Sequence, residues 1–565
     1  MPNYTKGGGA PNRSRTTYRV PCITSEHIIS FTGGNISNTA GLLKNVIVDS
    51  YAGEKDRLYI TQRPSVSLFD DASDDTVNTD GRGIYHWAAN DVRYFVNNNI
   101  MYRDSYSAPM TVTAEGALVG TAMSAGTEKV YFLEWSSDLN DYLFIIDPQA
   151  SDVFIIQKTQ QVDIGDNDPI NVQDLIDNVG LTGTGAPFHA SEDWDFTGLE
   201  DIIDLGFAHG AEILDKYMVL GAKNGRIYTS NVDNFLSWSA LDFTTAEREN
   251  DQLLAIAKTG DHILAMGERT TELFYDAENP SGSPFAPRKD LFYQKGIANG
   301  DSVWVDGNDV YFLAIKPTGD FALNVLKDYK LDEISSSTIN SYLRHGRTEA
   351  TLSTKLSGFS SGAHTYVVLT VFNASNNPIV SLVYDGFSGM WGEWETTLVG
   401  LEDFALVGWS TRTPETPVTT EGILSNGDLF FIADDFDPQD TTNTTAYFAG
   451  QYSAGSYSLT GDAAAETSSV VMQILLDNIE FNSSDRKFMH KLQAVCNMTS
   501  SSQTLTIEWS DDEGTTWYSG TLDTSYHGQI NRLGQFVRRR FRVTYAGSEQ
   551  LRLEALDTTC THGGN

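Results

Sequence analysis

KTGDHILAMGERTTELFYDAENPSGSPFAPRKDLFYQKGIANGDSVWVDGNDVYFLAI, residues 258–315, decides the fold. It holds three short apolar runs with a period near two, each broken by Gly, Pro or Asn/Asp, which predicts successive antiparallel strands. Asp306-Gly307 lies between Val303-Trp304-Val305 and Val310-Tyr311-Phe312-Leu313 and supplies the positive φ angles that a tight hairpin needs. No catalytic motif interrupts the stretch.

The same texture extends outward. Eleven per cent aromatic residues, 48 glycines and frequent Asn/Asp turns fit an all-β chain, since aromatic and β-branched side chains pack well on pleated surfaces. The 565 residues carry 38 Lys+Arg against 75 Asp+Glu, a net charge of −37, so the surface is dominated by negative potential and a general nucleic-acid groove is disfavoured. Cys22, Cys496 and Cys560 are too few and too scattered for a disulfide framework or a zinc site, and point to a reducing compartment. The N-terminus lacks the apolar stretch of a signal peptide, and no run approaches the eighteen or so apolar residues of a membrane span.

Taken in order, residues 1–30 predict an extended arm, because Lys6, Arg13, Arg15 and Arg19 precede the first acid, Glu26, among Gly, Asn and Ser. Such an arm can order on an acidic neighbour, including another copy of the chain. Residues 31–440 predict a β-propeller-like domain. Its strands include Arg57-Leu58-Tyr59-Ile60, Gly83 to Trp87, Val92 to Val96, Val130 to Trp135 and Tyr142 to Ile146. The acids Asp70, Asp71, Asp74, Asp75 and Asp80 lack the ligand spacing of a calcium loop and read as a solvated loop.

Residues 158–205 interrupt the pattern as an insertion, facing either the lumen or the exterior of an assembly. Thr197 and Glu200 there form a capping box before Ile202-Ile203 and predict a short helix. Strands resume at Lys216 to Gly221, turn at Asn224-Gly225, and run to a Pro414/Pro417 loop and an Asn426-Gly427 turn. Residues 441–468 read as a linker. Residues 469–565 predict an appended C-terminal β-sandwich-like domain.

Two motifs in that domain stand out. Ser510-Asp511-Asp512-Glu513-Gly514-Thr515-Thr516-Trp517 matches the Asp-box pattern, a hairpin turn in which an Asp carboxylate accepts backbone N–H bonds, Gly takes the strained position and Trp packs beneath. Arg538, Arg540 and Arg542 alternate with Val537, Phe541 and Val543, which places three guanidinium groups on one strand face, either solvated or meeting an acidic partner. The ten histidines lack metal-ligand spacing, and no nucleophile elbow, P-loop or HExxH occurs. No catalytic, cofactor-binding or metal residue is therefore assigned, and no cofactor is expected.

The succession DKYMVLGAKNGRIYTSNVDNFLSWSALDFTTAE, followed by Gly267 to Glu272, Pro284-Phe285-Ala286, Lys295-Gly296 and Ile334 to Ser337, resembles the packaged-DNA stabilisation, or tail-nozzle, family of short-tailed bacteriophages. The resemblance is strongest from about 215 to 345 and weaker over Thr365 to Thr370 and Val383 to Trp394. It implies a non-enzymatic virion tail protein, assembled in the host cytoplasm as a homo-oligomeric ring, a hexamer in the family. That ring sits below the head-to-tail adaptor and meets tail needle, plug or fibre proteins. It helps retain packaged DNA and serves as the conduit for DNA ejection, without sequence-specific binding. The alternative class is a glycan-binding or sialidase-like propeller, suggested by the Asp-box and the aromatic content.

Overall fold

A computed structural model describes residues 15–562 except for several segments, the longer of which are 23–41, 70–80, 106–111, 116–122, 159–168, 347–352, 373–377, 395–404, 412–428, 435–448, 461–466, 498–503 and 523–527. Among the described residues the chain is nearly all strand, with three short helices. Short meanders recur because each apolar alternating run ends at a turn residue and folds back on the run before it.

Seven such meanders form blades. Blade 1 is Gly81–Trp87, Val92–Asn97, Ile100–Ser105 and Val112–Glu115. Blade 2 is Tyr131–Ser136, Asp141–Asp147, Asp152–Gln157 and Ile170–Asn171. Blade 3 is Phe207–Leu214, Tyr217–Ala222, Arg226–Asn231 and Asn234–Thr245. Blade 4 is Leu253–Thr259, His262–Gly267, Thr271–Asp276 and Phe285–Tyr293. Blade 5 is Val303–Asp306, Asp309–Ile315, Phe321–Lys327 and Lys330–Glu333. Blade 6 is Ser353–Ser361, His364–Phe372, Pro378–Asp385 and Met390–Trp394. Blade 7 takes Ala405–Thr411, Leu429–Asp434 and Ala449–Ser453 from the C-terminal side and Ser65–Phe69 from the N-terminal side.

The first strands of successive blades lie side by side from blade 1 to blade 7, and that of blade 7 packs back against Gly81–Trp87. No one sheet closes on itself; the circle closes by this packing. Apolar cores fill the spaces between consecutive blades. Trp87 and Val96 meet Leu143 and Phe154, for example, and Leu264 and Leu273 meet Val310 and Phe312. The all-β, propeller-like expectation holds.

The other part is a two-sheet sandwich. One sheet runs Val46–Tyr51, Glu54–Gln62, Leu553–His562, Lys487–Cys496 and Gln529–Phe536, with Arg15–Pro21 also paired to Leu553–His562. The other runs Leu42–Lys44, Val471–Leu475, Arg540–Ala546, Thr504–Ser510 and Tyr518–Leu522. Val20, Cys22, Val48 and Ile60 share its core with Ile474, Leu492, Ile507 and Val543. Leu42–Lys44 also pairs in parallel with the outer strand of blade 6 at Lys44↔Glu393, so nine strands run continuously from blade 6 into the sandwich.

Several boundaries differ from expectation. The arm predicted over 1–30 contains a strand, Arg15–Pro21; Lys6 and Arg13 lie outside the described residues. The strand at Arg57 to Ile60 belongs to the sandwich, not the propeller. Alternation reveals a half-buried strand but not its sheet: this one pairs with the nearby Val46–Tyr51 and, at Ile60↔Leu553, joins a strand from the other end of the chain. The linker predicted over 441–468 contributes Ala449–Ser453, Ser458–Thr460 and Thr467–Ser469 to the blade 7 sheet. The segment predicted as an insertion begins with the last strand of blade 2 and continues as the helix Val172–Asn178. Its Phe188, Trp194, Phe196, Leu199 and Ile202 are buried against blades 2 and 3, so its described part contributes to the core between them.

The helix expected near Ile202-Ile203 is present as Thr197–Leu205, but Phe196 is its N-cap and no side chain caps it. The Thr197 hydroxyl donates instead to the Trp238 carbonyl at 3.0 Å. At the 306–307 hairpin, Gly307 alone takes positive φ (60°), and Asp306 is the last paired strand residue, opposite Asp309. The acids at 70–80, the prolines 414 and 417 and the Asn426-Gly427 turn lie outside the described residues.

Candidate functional site at the propeller hub

The first strands of the blades meet around an axis, and their residues decide what that axis can do. Gly210, at φ +89°, is required there: a Cβ would lie 2.1 Å from the Ile256 carbonyl oxygen of the next blade. A half-open axial pocket of about 290 Å³ is lined by Lys129, Glu212, Trp304 and Ser357 among others. On one face, between blades 4 and 5, lies a cavity of about 930 Å³ bordered by Glu128, Glu249, Glu268, Arg269 and Lys316.

Between this cavity and the axial pocket sits a buried charged network. Asp301 accepts a bond from the Lys129 backbone N–H at 3.0 Å and lies 3.1 Å from His209 Nδ1, while His209 Nε2 lies 3.3 Å from Glu128. Lys129 Nζ donates to the carbonyls of Leu356 and Val303, and Lys355 Nζ donates to the Gly81 carbonyl at 3.1 Å. Strands of blades 1, 2, 3, 5 and 6 are thus tied by charge-assisted bonds at the centre.

Burial alone would lower the His209 pKa, but the Asp301 and Glu128 carboxylates outweigh it and hold the imidazole at about 9. Burial would raise Asp301; His209, Lys129 and Lys355 together bring it down to about 2. Burial lowers Lys129 to about 8, against the pull of Asp301. The protonated imidazole and the two ammonium groups act as cross-links, with no nucleophile poised beside a base. Among the described residues no cluster of three or more His, Cys, Asp or Glu is arranged to hold a metal ion.

A second buried clamp joins blades 1 and 2. Arg82 Nη2 donates to Asp147 at 2.5 Å with both side chains fully buried, and Arg82 Nε donates to the Glu128 carbonyl at 2.7 Å. In the sandwich the Asp-box forms as expected. Asp512 Oδ1 accepts from the Thr516 N–H at 2.7 Å, the Ser510 hydroxyl accepts from the Gly514 N–H at 2.8 Å, and Gly514 sits at φ +93°. The Thr516 N–H bonding brings Asp512 down to about 2. The turn joins Thr504–Ser510 to Tyr518–Leu522 and is structural.

The arginine stripe comes out differently. The chain bends at 537–539, so Arg538 lies outside the strand Arg540–Ala546, and Arg540 is buried. Arg538 pairs with Glu480 at 2.5 Å and Arg542 with Glu508 at 2.5 Å, which engages both within the chain. Their neighbour Arg539 is the buried one of consequence, donating to both Asp511 oxygens at 2.7 Å over the Phe536 ring. Sequence reading missed Arg539, Arg82 and the hub network, because the partners stand far apart in the chain, 172 residues for Lys129 and Asp301.

Residues 155–384 match the family described as "Phage_stabilise: Bacteriophage P22 Gp10, beta-propeller". No curated protein matches the chain. Similar solved structures include the N-terminal domain of Nup159 (6% identity, 73% of this chain and 99% of that chain, TM-score 0.35) and BamB from Moraxella catarrhalis (9%, 74% and 96%, TM-score 0.30). Another is the exo-β-1,3-galactanase from Phanerochaete chrysosporium (9%, 79% and 98%, TM-score 0.24). Likeness at these scores carries no argument about function. The family match, by contrast, runs from the third strand of blade 2 to the third strand of blade 6, and over that span the chain is similar to a phage propeller associated with stabilisation.

Proposed function

We propose that this protein is a non-enzymatic structural component of a bacteriophage tail. In this reading, copies form a ring that extends the portal and adaptor channel, helps retain packaged DNA and conducts it on ejection. The carrying observation is the match of residues 155–384 to the phage stabilisation propeller. The hub supports it, since its buried charges are spent on joining blades. A net charge of −37 gives the duplex little counterion-release grip, so DNA slides.

Electron microscopy of the purified protein, alone and mixed with a phage head-to-tail adaptor, tests this. A ring with a central hole that stacks on the adaptor is the expected image. Particles that remain single under both conditions, or tight salt-sensitive binding of duplex DNA, overturn the reading.

A further inference from the structure

Charge is partitioned between the two parts of the molecule. Residues 1–62 and 471–565, the source of the sandwich strands, hold 16 Lys and Arg against 15 Asp and Glu. Residues 63–470 hold 22 against 60. Copies that meet through their propellers therefore repel, whereas copies that meet through their sandwiches are near neutral.

Among the described residues, two edge strands of the sandwich lie on opposite sides. Tyr518–Leu522 ends the second sheet and pairs only with Thr504–Ser510 among the described residues. Exposed edges are ordinarily blunted by charge, proline or a bulge. The outer strand of blade 4, Phe285–Tyr293, carries Pro287, Arg288 and Lys289, and the Gln529–Phe536 edge has positive φ at Arg532 and Gly534. Tyr518–Leu522, YSGTL, has none of these, and Tyr518 is 54% exposed. Beside it the Asp-box turn presents the exposed carboxylates of Asp512 and Glu513, the latter reaching Arg538 only at 3.8 Å. On the far side, Arg15–Pro21 pairs with Leu553–His562 and exposes Arg15 and Arg19, the latter reaching Glu554 only at 3.7 Å and Asp557 at 3.4 Å.

We propose that copies of this chain join head to tail by strand addition, with Arg15–Pro21 of one copy pairing along Tyr518–Leu522 of the next. Backbone hydrogen bonds supply the contact, and the opposed charges of the two edges set its direction. Two different patches meet, so the contact is heterologous and closes into a ring when its rotation permits. The proposal rests on the ring reading above and names the surface that makes the ring.

Size-exclusion chromatography with light scattering on the full chain, together with hydrogen exchange read by mass spectrometry, tests it. On assembly of the unaltered protein the amides of Tyr518–Leu522 slow at least tenfold. The doubly reversed variant R15E/R19E raises the dissociation constant at least tenfold, and adding Glu513→Lys to it restores part of the loss. An oligomer whose Tyr518–Leu522 amides exchange as fast as in the monomer overturns the proposal while leaving the ring reading intact. So does an R15E/R19E chain that assembles like the unaltered one. A chain that never assembles overturns the ring reading and this proposal with it. The exchange measurement on the unaltered protein decides the matter even if a variant fails to fold.

Discussion

The propeller and the sandwich solve the burial problem in opposite ways. The propeller divides its apolar interior into separate cores, each between neighbouring blades and each made from stretches close in sequence. The sandwich has one core, assembled from strands at both ends of the chain. Local cores let blades form in succession, and at the axis, lined by Ile84, Phe132, Ile256 and Trp304 as well as by Lys129 and Glu212, polar bonds add a further tie between blades. Charged cross-links such as Asp301–His209 and Lys129–Leu356 occupy that position. The sandwich needs no such centre and places its buried guanidinium, Arg539, near the rim.

The largest expected effect comes from deleting residues 1–62. This removes Val20, Cys22, Leu43, Val46, Val48 and Ile60 from a single core. At about 1.5–3 kcal/mol for each large apolar side chain buried, the loss rivals the whole stability of a domain. Limited proteolysis should then cut within 471–562 while blades 2 to 5 resist. Equal resistance, or equal loss, would erase the contrast between the two parts.

Next is Arg82→Ala, which leaves the fully buried Asp147 without its guanidinium and should cost about 3–5 kcal/mol in chemical denaturation. Arg539→Ala should cost less, because Asp511 is 30% exposed and regains water. An equal cost for the two would show that partner burial does not govern the effect.

The smallest is a pH effect at the hub. His209 is held at about 9 in the fold, above its ordinary 6.5, so the stability it contributes is full below pH 6.5 and is lost as pH rises through 9. Asp301, held at about 2, contributes above its ordinary 3.8 and loses that contribution as pH falls through 2. Lys129 works in the opposite sense only above about pH 8, and Glu212, pushed up to about 7 by burial, titrates in both proteins, so the comparison is read as a difference between pH 6.5 and 8. There the stability difference between the unaltered protein and His209→Gln should shrink by about 1.5 kcal/mol. A flat difference would remove His209 from the ion pair.

Strand and turn content was legible from residues 258–315 outward, because a period of two and the turn residues are local signals. The Asp-box was legible for the same reason, whereas the helix at Thr197–Leu205 was found although the capping box that pointed to it does not form. Membership of a sheet was not. Arg57 to Ile60 has the same alternation whether its partner is the next blade or Leu553–His562, and pattern does not encode distance along the chain. The hub was invisible because a lone His209 or Asp301 is unremarkable until five blades bring their first strands to one axis. The arginine stripe misled because alternation was assumed to continue across the bend at 537–539.

The pairing of Arg15–Pro21 with Leu553–His562 also sets a clock. Tyr18 bonds to His562, 544 residues later. At about 5–20 residues per second, the first strand of the sandwich waits roughly half a minute to two minutes on the ribosome before its partner is made. Blades can fold during that interval; the sandwich cannot. A chain broken off early therefore lacks the Tyr518–Leu522 edge by which copies are proposed to join.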